Sequence, residues 1–140
     1  MSESNHEPLR LRLSGPRAVN SATDAARTLA GRVGIDESDA ARLAIIIEEL
    51  VTNLYDHGGL GFDDVFELEL FATGEELGVV IIDPGTPFDP GLADLGRKVP
   101  RRGGGAGLKL VRAWASRTEY SSIGGFNRLA VLLPKSARED

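Results

Sequence analysis

Apolar residues along the chain follow two spacings, strict alternation and a repeat of three to four residues, which predict strands and helices respectively. Leucine alternating with arginine over residues 9–13 predicts a first strand. Helical spacing predicts a helix over residues 19–33 and a second helix that Asp36 or Ser38 can cap and that Gly58 ends. The first half of the chain is therefore predicted to run strand, helix, helix.

The second half is predicted to contain mainly strands. The segments are strands at residues 66–70 and 77–82, a helix at 108–115, and strands at 118–123 and 127–133. Helices and strands in this order are typical of a two-layer α/β sandwich. We therefore predict an α/β fold with three main helices on one face of a mixed, largely antiparallel sheet.

Composition limits the possible domain organisation, partners and cellular location of the protein. We predict that residues 1–140 form a single domain, since this length suffices for one self-contained core. The net charge of −5 argues against a dedicated nucleic-acid-binding protein. The chain has no cysteine, and its polar amino terminus lacks the apolar run of a signal peptide. No segment is apolar for long enough to span a bilayer, so we expect a cytoplasmic protein without a membrane partner.

Two polar side chains on the second predicted helix are the first candidates for chemistry. Glu49 and Asn53 are four residues apart, which places them on the same side of a helix. A carboxylate can take a proton from a hydroxyl group, and an amide oxygen can bind a hard cation such as Mg²⁺. By itself the pair is also typical of a solvated helix surface, so the prediction depends on other segments.

Two glycine-containing segments supply further candidates. A β-branched run ends at Asp83 and Gly85, where an acid follows an apolar strand and a glycine lets the chain turn close to a ligand. Further on, a glycine cluster at residues 103–107 precedes helical spacing, and bare N–H groups at the start of a helix bind anions. The cluster fits neither the dinucleotide fingerprint nor the P-loop, because Leu108 stands where each motif needs another residue.

Taken in order, the three segments resemble the N, G1 and G2 boxes of the GHKL ATP-binding superfamily. The likeness is greatest to the small bacterial anti-sigma-factor serine/threonine kinases, and it extends over almost the whole chain. The matching residues are Glu49, Val51, Thr52, Asn53, His57 and Gly58, then Asp83, Gly85, Pro87, Phe88, Asp89 and Pro90, then Gly105, Gly107 and Leu108.

This resemblance implies a role for each candidate residue. Asn53 would hold Mg²⁺, and Glu49 would be the base that takes the proton from a serine or threonine hydroxyl. Asp83 would accept a hydrogen bond from the adenine amino group of ATP, with Gly85 leaving room for the ring. Asn127 departs from the family, because many relatives have a small hydroxyl residue there, and we expect one water-mediated adenine contact to be lost.

The resemblance also assigns the contacts to the phosphates. Gly105, Gly107 and Leu108 would present backbone N–H groups to the phosphates. Residues 90–104 would be the lid, from which either Arg101 or Arg102 would reach the terminal phosphate. Three other side chains are expected to have structural roles: His57, Trp114 and Tyr120.

The function that the resemblance implies is an ATP-dependent serine/threonine protein kinase acting as an anti-sigma regulatory factor in a partner-switching pathway. It would phosphorylate a small STAS-like antagonist, bind a sigma factor, form a homodimer, and make no direct contact with nucleic acid. Glu49 favours this class, because histidine kinases commonly carry an amide at that position. Two alternatives stay open: a nucleotide-gated protein-binding module without phosphoryl transfer, and a detached histidine-kinase-like ATPase.

Overall fold

The computed structural model describes residues 7–87 and 110–136. The predicted site residues Arg102, Gly105, Gly107 and Leu108 lie outside these ranges. Within them, every predicted strand is present, together with two complete helices and part of the third. The elements are β1 (Leu9–Leu13), α1 (Ala18–Val33), α2 (Glu37–Asp56), β2 (Phe66–Ala72), β3 (Glu76–Asp83), the helical residues 110–114 (α3), β4 (Arg117–Ile123) and β5 (Phe126–Pro134).

The five strands form one sheet in the order β1-β2-β3-β5-β4, and each pairing between these described strands is antiparallel. Leu70, Val79 and Val131 align across the central strands and are all buried. Because side chains alternate along a strand, the residues next to these three along each strand point to the opposite face of the sheet. That face carries charged cross-strand pairs: Arg10 with Glu69 at 3.4 Å, and Arg12 with Glu67 at 3.1 Å.

Helices α1 and α2 supply the apolar residues that complete the core. Helix α1 buries small side chains, which allow a close approach, whereas α2 buries larger ones. The core members are Ala18, Ala22, Ala25, Ala26 and Leu29 of α1, and Leu43, Ile46, Ile47, Leu50 and Val51 of α2. The predicted two-layer α/β sandwich is confirmed. None of the helices in the described ranges is long and apolar enough to cross a membrane.

The start of α2 differs in detail from the predicted cap. Asp36 stands at the N-cap position, but its side chain makes no hydrogen bond to the helix backbone. Its Oδ2 instead accepts a hydrogen bond of 3.0 Å from the hydroxyl of Ser38. The two residues that the sequence offers as alternative caps therefore bond to each other.

An ion pair between the buried Asp39 and the partly buried Arg42 joins the beginning of α2 to the residues at the end of β5. The Asp39 carboxylate accepts hydrogen bonds from the Ser136 backbone N–H and, at 2.6 Å, from its hydroxyl. Arg42 also donates to Asp39 and, at 3.1 Å, to the carbonyl of Pro134. Burial by itself would raise the pKa of Asp39, but the bonds from Ser136 and Arg42 outweigh it and hold the pKa below its ordinary value of 3.8.

We predict that Asp39→Asn lowers the free energy of unfolding by about 1–3 kcal/mol at pH 7, because a buried charged partner of Arg42 is lost. The folded-state pKa of Asp39 is depressed, so its contribution is complete above the unfolded value of 3.8 and is lost as pH falls below it. Urea unfolding of both proteins should therefore give a difference that stays constant from pH 7 down to the unfolded pKa of 3.8 and shrinks below it.

The matched control is Asp24→Asn, which removes the carboxylate of an exposed pair with Arg27 at 2.8 Å on α1. Exposed pairs of this kind contribute little, so this variant should unfold close to the wild type. Equal losses in the two variants, or a loss at Asp39 that does not depend on pH, would contradict the stabilising role of the ion pair at Asp39.

Candidate functional site

A pocket lies between the carboxyl half of α2 and the ends of the central strands. Apolar side chains form most of its wall, and two buried polar side chains, Asn53 and Asp83, face it. Small-molecule sites share this mixture of an apolar wall and a few polar groups, and the described residues enclose a cavity of about 30 Å³ here. The lining residues are Leu50, Asn53, Leu54, Gly58, Ile81, Asp83, Thr86, Tyr120 and Leu129.

Asp83 is the last residue of β3 and is only 6% exposed. Its Oδ1 accepts two hydrogen bonds, from the Gly85 N–H at 2.8 Å and from Nδ2 of Asn127 at 3.1 Å. Within the described ranges, no hydrogen bond reaches its Oδ2. An ionised carboxylate only accepts hydrogen bonds, so Oδ2 can bind a ligand group that carries an N–H.

Gly85 lies where the chain after β3 approaches the end of α2. The backbone N–H of Thr86 donates to the Gly58 carbonyl at 2.7 Å. A Cβ at residue 85 would lie 2.4 Å from that carbonyl oxygen, which real side chains do not do. The sequence predicts Gly85 as the residue that leaves room for a ring, and the structure adds a second reason: the contact with Gly58 requires glycine.

Asn53 lies one helical turn before this contact and is 4% exposed. Both polar atoms of its side chain, Nδ2 and Oδ1, are buried and have no hydrogen-bond partner in the described part of the chain. Buried polar groups are normally satisfied, so an unpaired amide facing a pocket indicates a ligand that completes it. An amide oxygen suits Mg²⁺, which is typically bound by one or two protein groups plus substrate phosphates.

Glu49 lies one turn earlier on α2 and is partly buried. Burial raises its pKa above the ordinary value, and the negative charges of Glu48 and Asp56 raise it further. A carboxylate with a raised pKa is a stronger proton acceptor, which is the property that a general base needs.

Sequence reasoning missed two residues of this site, Tyr120 and Thr86. Tyr120 was expected to pack in the core but lines the pocket, where it pairs across strands with Leu129. Thr86 also lines the pocket, and Asn127, which the resemblance had already placed near the adenine, bonds directly to Asp83. Alternation along β4 and β5 could have placed Tyr120 and Asn127 on the helix-facing side.

Trp114 and His57 are not among the described residues that line the pocket. Trp114 packs against the core, and the guanidinium carbon of Arg42 lies 5.9 Å from its ring centre. His57 follows the last residue of α2, is exposed, and donates its backbone N–H to the carbonyl of Asn53 at 2.9 Å.

Comparison with known protein families identifies the class. Residues 14–131 match the family model described as histidine kinase-like ATPase domain, and this match covers most of the chain. The chain therefore belongs to the histidine kinase-like ATPase domain family. The predicted GHKL-type fold and the resemblance to that superfamily are confirmed, and the family implies that the domain binds ATP. A comparison with curated proteins finds no match.

Solved structures share the fold at low identity. The chain is similar to the RsbU and RsbW domains of Rv1364c from Mycobacterium tuberculosis, with a TM-score of 0.66, 20% identity, and coverage of 95% of this chain and 34% of that one. It is also similar to the histidine kinase AdeS of Acinetobacter baumannii, with a TM-score of 0.52, 13% identity and coverage of 92% and 68%.

A third similar structure is the blue-light activated histidine kinase EL346 of Erythrobacter litoralis, with a TM-score of 0.51, 18% identity and coverage of 88% and 46%. At these identities the similarity establishes the fold alone. The chain spans about a third of the Mycobacterium tuberculosis chain that it matches.

We predict that Gly85→Ala lowers the free energy of unfolding by about 1–3 kcal/mol, because the new methyl group overlaps the Gly58 carbonyl. Gly74→Ala is the matched control, since a Cβ there meets no atom within 4 Å. Urea unfolding should show a loss at residue 85 alone. Equal behaviour of the two variants would show that the contact between the ends of α2 and β3 is not tight.

We also predict that Asn53→Ala raises the free energy of unfolding of the ligand-free protein by about 1 kcal/mol, because it removes two unpaired buried polar groups and favours helix. The same variant should lose Mg²⁺-dependent nucleotide binding. Asn20→Ala, at an exposed position of α1, controls for the change in helix propensity. A clear loss of stability specific to residue 53 would mean that its amide already has partners.

Proposed function

We propose that the protein is an ATP-dependent serine/threonine protein kinase that acts as an anti-sigma regulatory factor. The observation that carries the proposal is one pocket that holds both the accessible acceptor of Asp83 and the unpaired amide of Asn53. The first suits the amino group of adenine, and the second suits the cation that accompanies a triphosphate. Glu49, on the same helix as Asn53, supplies the base.

In the proposed reaction, Glu49 takes the proton from a serine or threonine hydroxyl of a protein substrate. The hydroxyl oxygen forms a bond to the terminal phosphorus of ATP as the bond to the leaving oxygen breaks, and ADP is released. Mg²⁺, when bound, neutralises charge on the phosphate oxygens. Asn53 would hold the cation, and Asp83 would orient the adenine ring. Phosphate contacts by Arg102, Gly105, Gly107 and Leu108 are proposed from the resemblance.

The proposed partners follow from the same resemblance. The substrate is a small STAS-like anti-sigma-factor antagonist, the second partner is a sigma factor, and the kinase itself is a homodimer. Similarity to a protein with an RsbW domain supports this setting at the level of the fold. Because these partners regulate transcription, the proposal places the protein in the cytoplasm.

Phosphoryl transfer to a purified STAS-like protein tests the proposal directly. Labelled ATP with Mg²⁺ should give an acid-stable phosphoserine or phosphothreonine on the STAS-like protein. Glu49→Gln should slow transfer by about 10²–10⁴-fold, the usual contribution of a general base, while ADP affinity changes little. The matched control is Glu48→Gln, because Glu48 is the exposed neighbour on the same helix and should transfer at the wild-type rate.

Each alternative gives a different result. Transfer at the wild-type rate by Glu49→Gln would contradict the assignment of the base. An acid-labile product would favour a histidine-kinase-like ATPase. Nucleotide binding that changes affinity for a protein partner, without any transfer, would favour the nucleotide-gated binding module.

A further inference from the structure

Strand β3 carries apolar residues on both faces of the sheet, although the helices cover only one. Val79 and Ile81 belong to the core under the helices. Val80 and Ile82 alternate with them and therefore face away from the helices. A strand without polar alternation is typical of a sheet that is covered on both sides. In the described part of the chain no element covers this second side, which we call the outer face.

The outer face has an apolar centre and a charged border. At the turn between β4 and β5 its apolar residues are well exposed, with Ile123 at 77% and Phe126 at 54%. An apolar centre with a polar rim is the usual composition of a protein–protein interface. The register gives the apolar centre as Phe71, Val80, Ile82, Ala130, Leu132 and Phe126.

The charges of the border indicate which partner fits. Both signs are present on each side of the apolar centre. Arg10 pairs with Glu69 at 3.4 Å on one side, and Arg117 pairs with Glu119 at 3.0 Å on the other. A strongly basic or strongly acidic partner would therefore meet like charges. A surface of mixed sign suits a second copy of this chain, because a two-fold contact brings the same patch together from both subunits.

The strand order determines how two outer faces can be laid on each other. Strand β3 is the central strand of the five. A two-fold axis parallel to β3 therefore places β2 of one copy over β5 of the other, and β1 over β4, at the same height along the strands. Aligned packing of two sheets face to face is a common arrangement. The register of each sheet then fixes which residues face each other.

The charged residues that this axis brings together have opposite signs. Glu67 and Arg128 lie in one row of the sheet, on either side of Ile82, so Glu67 of each copy faces Arg128 of the other. In the next row, Arg10 of each copy faces Glu119 of the other. Arg128 makes no ion pair with any described residue of its own chain, so this contact would supply its partner.

The apolar residues also meet apolar residues across the same axis. Phe71 and Leu132 lie in one row, so each faces the other in the second copy, and Ile82 faces itself. The alternation of β2, continued one residue before its start, brings Val65 opposite Phe126 of the second copy. Val65 is 39% exposed, which is unusual for a large apolar residue unless it contacts a partner. Burial of these side chains supplies the attraction between the two faces.

A two-fold axis across the strands does not give this match. It would lay each strand over its own copy, running in the opposite direction. Arg10 would then face Arg12 of the second copy, and Glu67 would face Glu69. Like charges in such contacts disfavour association, so the charge pattern selects the axis parallel to β3.

We propose that the outer face is the dimer interface of the protein, with a two-fold axis parallel to β3 and with Glu67 of each copy bound to Arg128 of the other. The pocket that contains Asn53 and Asp83 lies on the helix side of the sheet and stays accessible in this dimer. The proposal rests on the homodimer that forms part of the proposed function, and it names the surface that forms this homodimer.

Sedimentation equilibrium of the full chain, which measures the Kd of the dimer, tests this interface. Arg128→Glu and Glu67→Arg each place like charges in both symmetry-related contacts, so each variant alone should raise the Kd by about tenfold or more. An equimolar mixture of the two variants should dimerise nearly as well as the wild type. In the mixed dimer one contact keeps Glu67 and Arg128, and the other contains the two exchanged charges.

Two further variants complete the experiment. Arg27→Glu reverses an exposed charge on α1, away from the outer face, and should leave the Kd unchanged. Phe126→Ser alters an exposed residue without reversing a charge, so it should weaken the dimer without disturbing the core.

The outcomes separate this surface from the rest of the proposed function. A wild-type dimer whose Kd is unchanged by Phe126→Ser and by both charge reversals overturns the interface and leaves the homodimer standing. A mixture that stays as weak as its two components overturns the contact between Glu67 and Arg128. A monomeric wild type overturns both the interface and the homodimer, whereas the kinase activity is decided separately by phosphoryl transfer.

Discussion

The hydrogen bond from the Thr86 N–H to the Gly58 carbonyl joins the end of α2 to the end of β3, and the rest of the site depends on it. Asn53 and Asp83 belong to these two elements, which also pack together through the core, and both side chains face the same pocket. The contact is only possible because residue 85 has no Cβ, which would lie 2.4 Å from the same carbonyl. This backbone contact therefore holds the end of α2 next to the segment that follows β3.

Helix α2 is held at both ends, and the two ends serve different purposes. At its start, the bonds from Asp39 to Ser136 and Arg42 are satisfied and fix the helix to the last strand. At its other end, the amide of Asn53 is buried without a partner in the described part of the chain. Satisfied polar contacts therefore lie at one end of the helix and an unsatisfied polar group at the other. Such a group opposes folding and favours a ligand that completes it.

The pairing of β3 with β5 determines which residue lies beside Asp83. Asp83 is the last residue of a buried strand, and its neighbour across the β3–β5 ladder, Asn127, donates a hydrogen bond to its Oδ1. Because the pairing register is fixed by the buried apolar face of the sheet, Asn127 cannot shift away from Asp83 without moving core residues such as Val131. The geometry of the pocket at Asp83 is in this way linked to core packing.

Sequence by itself determined the element order, the two-layer sandwich and the placement of Glu49, Asn53 and Asp83, because spacing and turn chemistry are local properties. It left Tyr120 outside the site and gave no account of the contact between Gly58 and Gly85. Those features depend on which residues meet across elements distant in the chain. Only the packing of the helices on the sheet determines the strand register and the close approach of Gly58 to Gly85. The same packing determines how many hydrogen-bond partners the Asp83 carboxylate has.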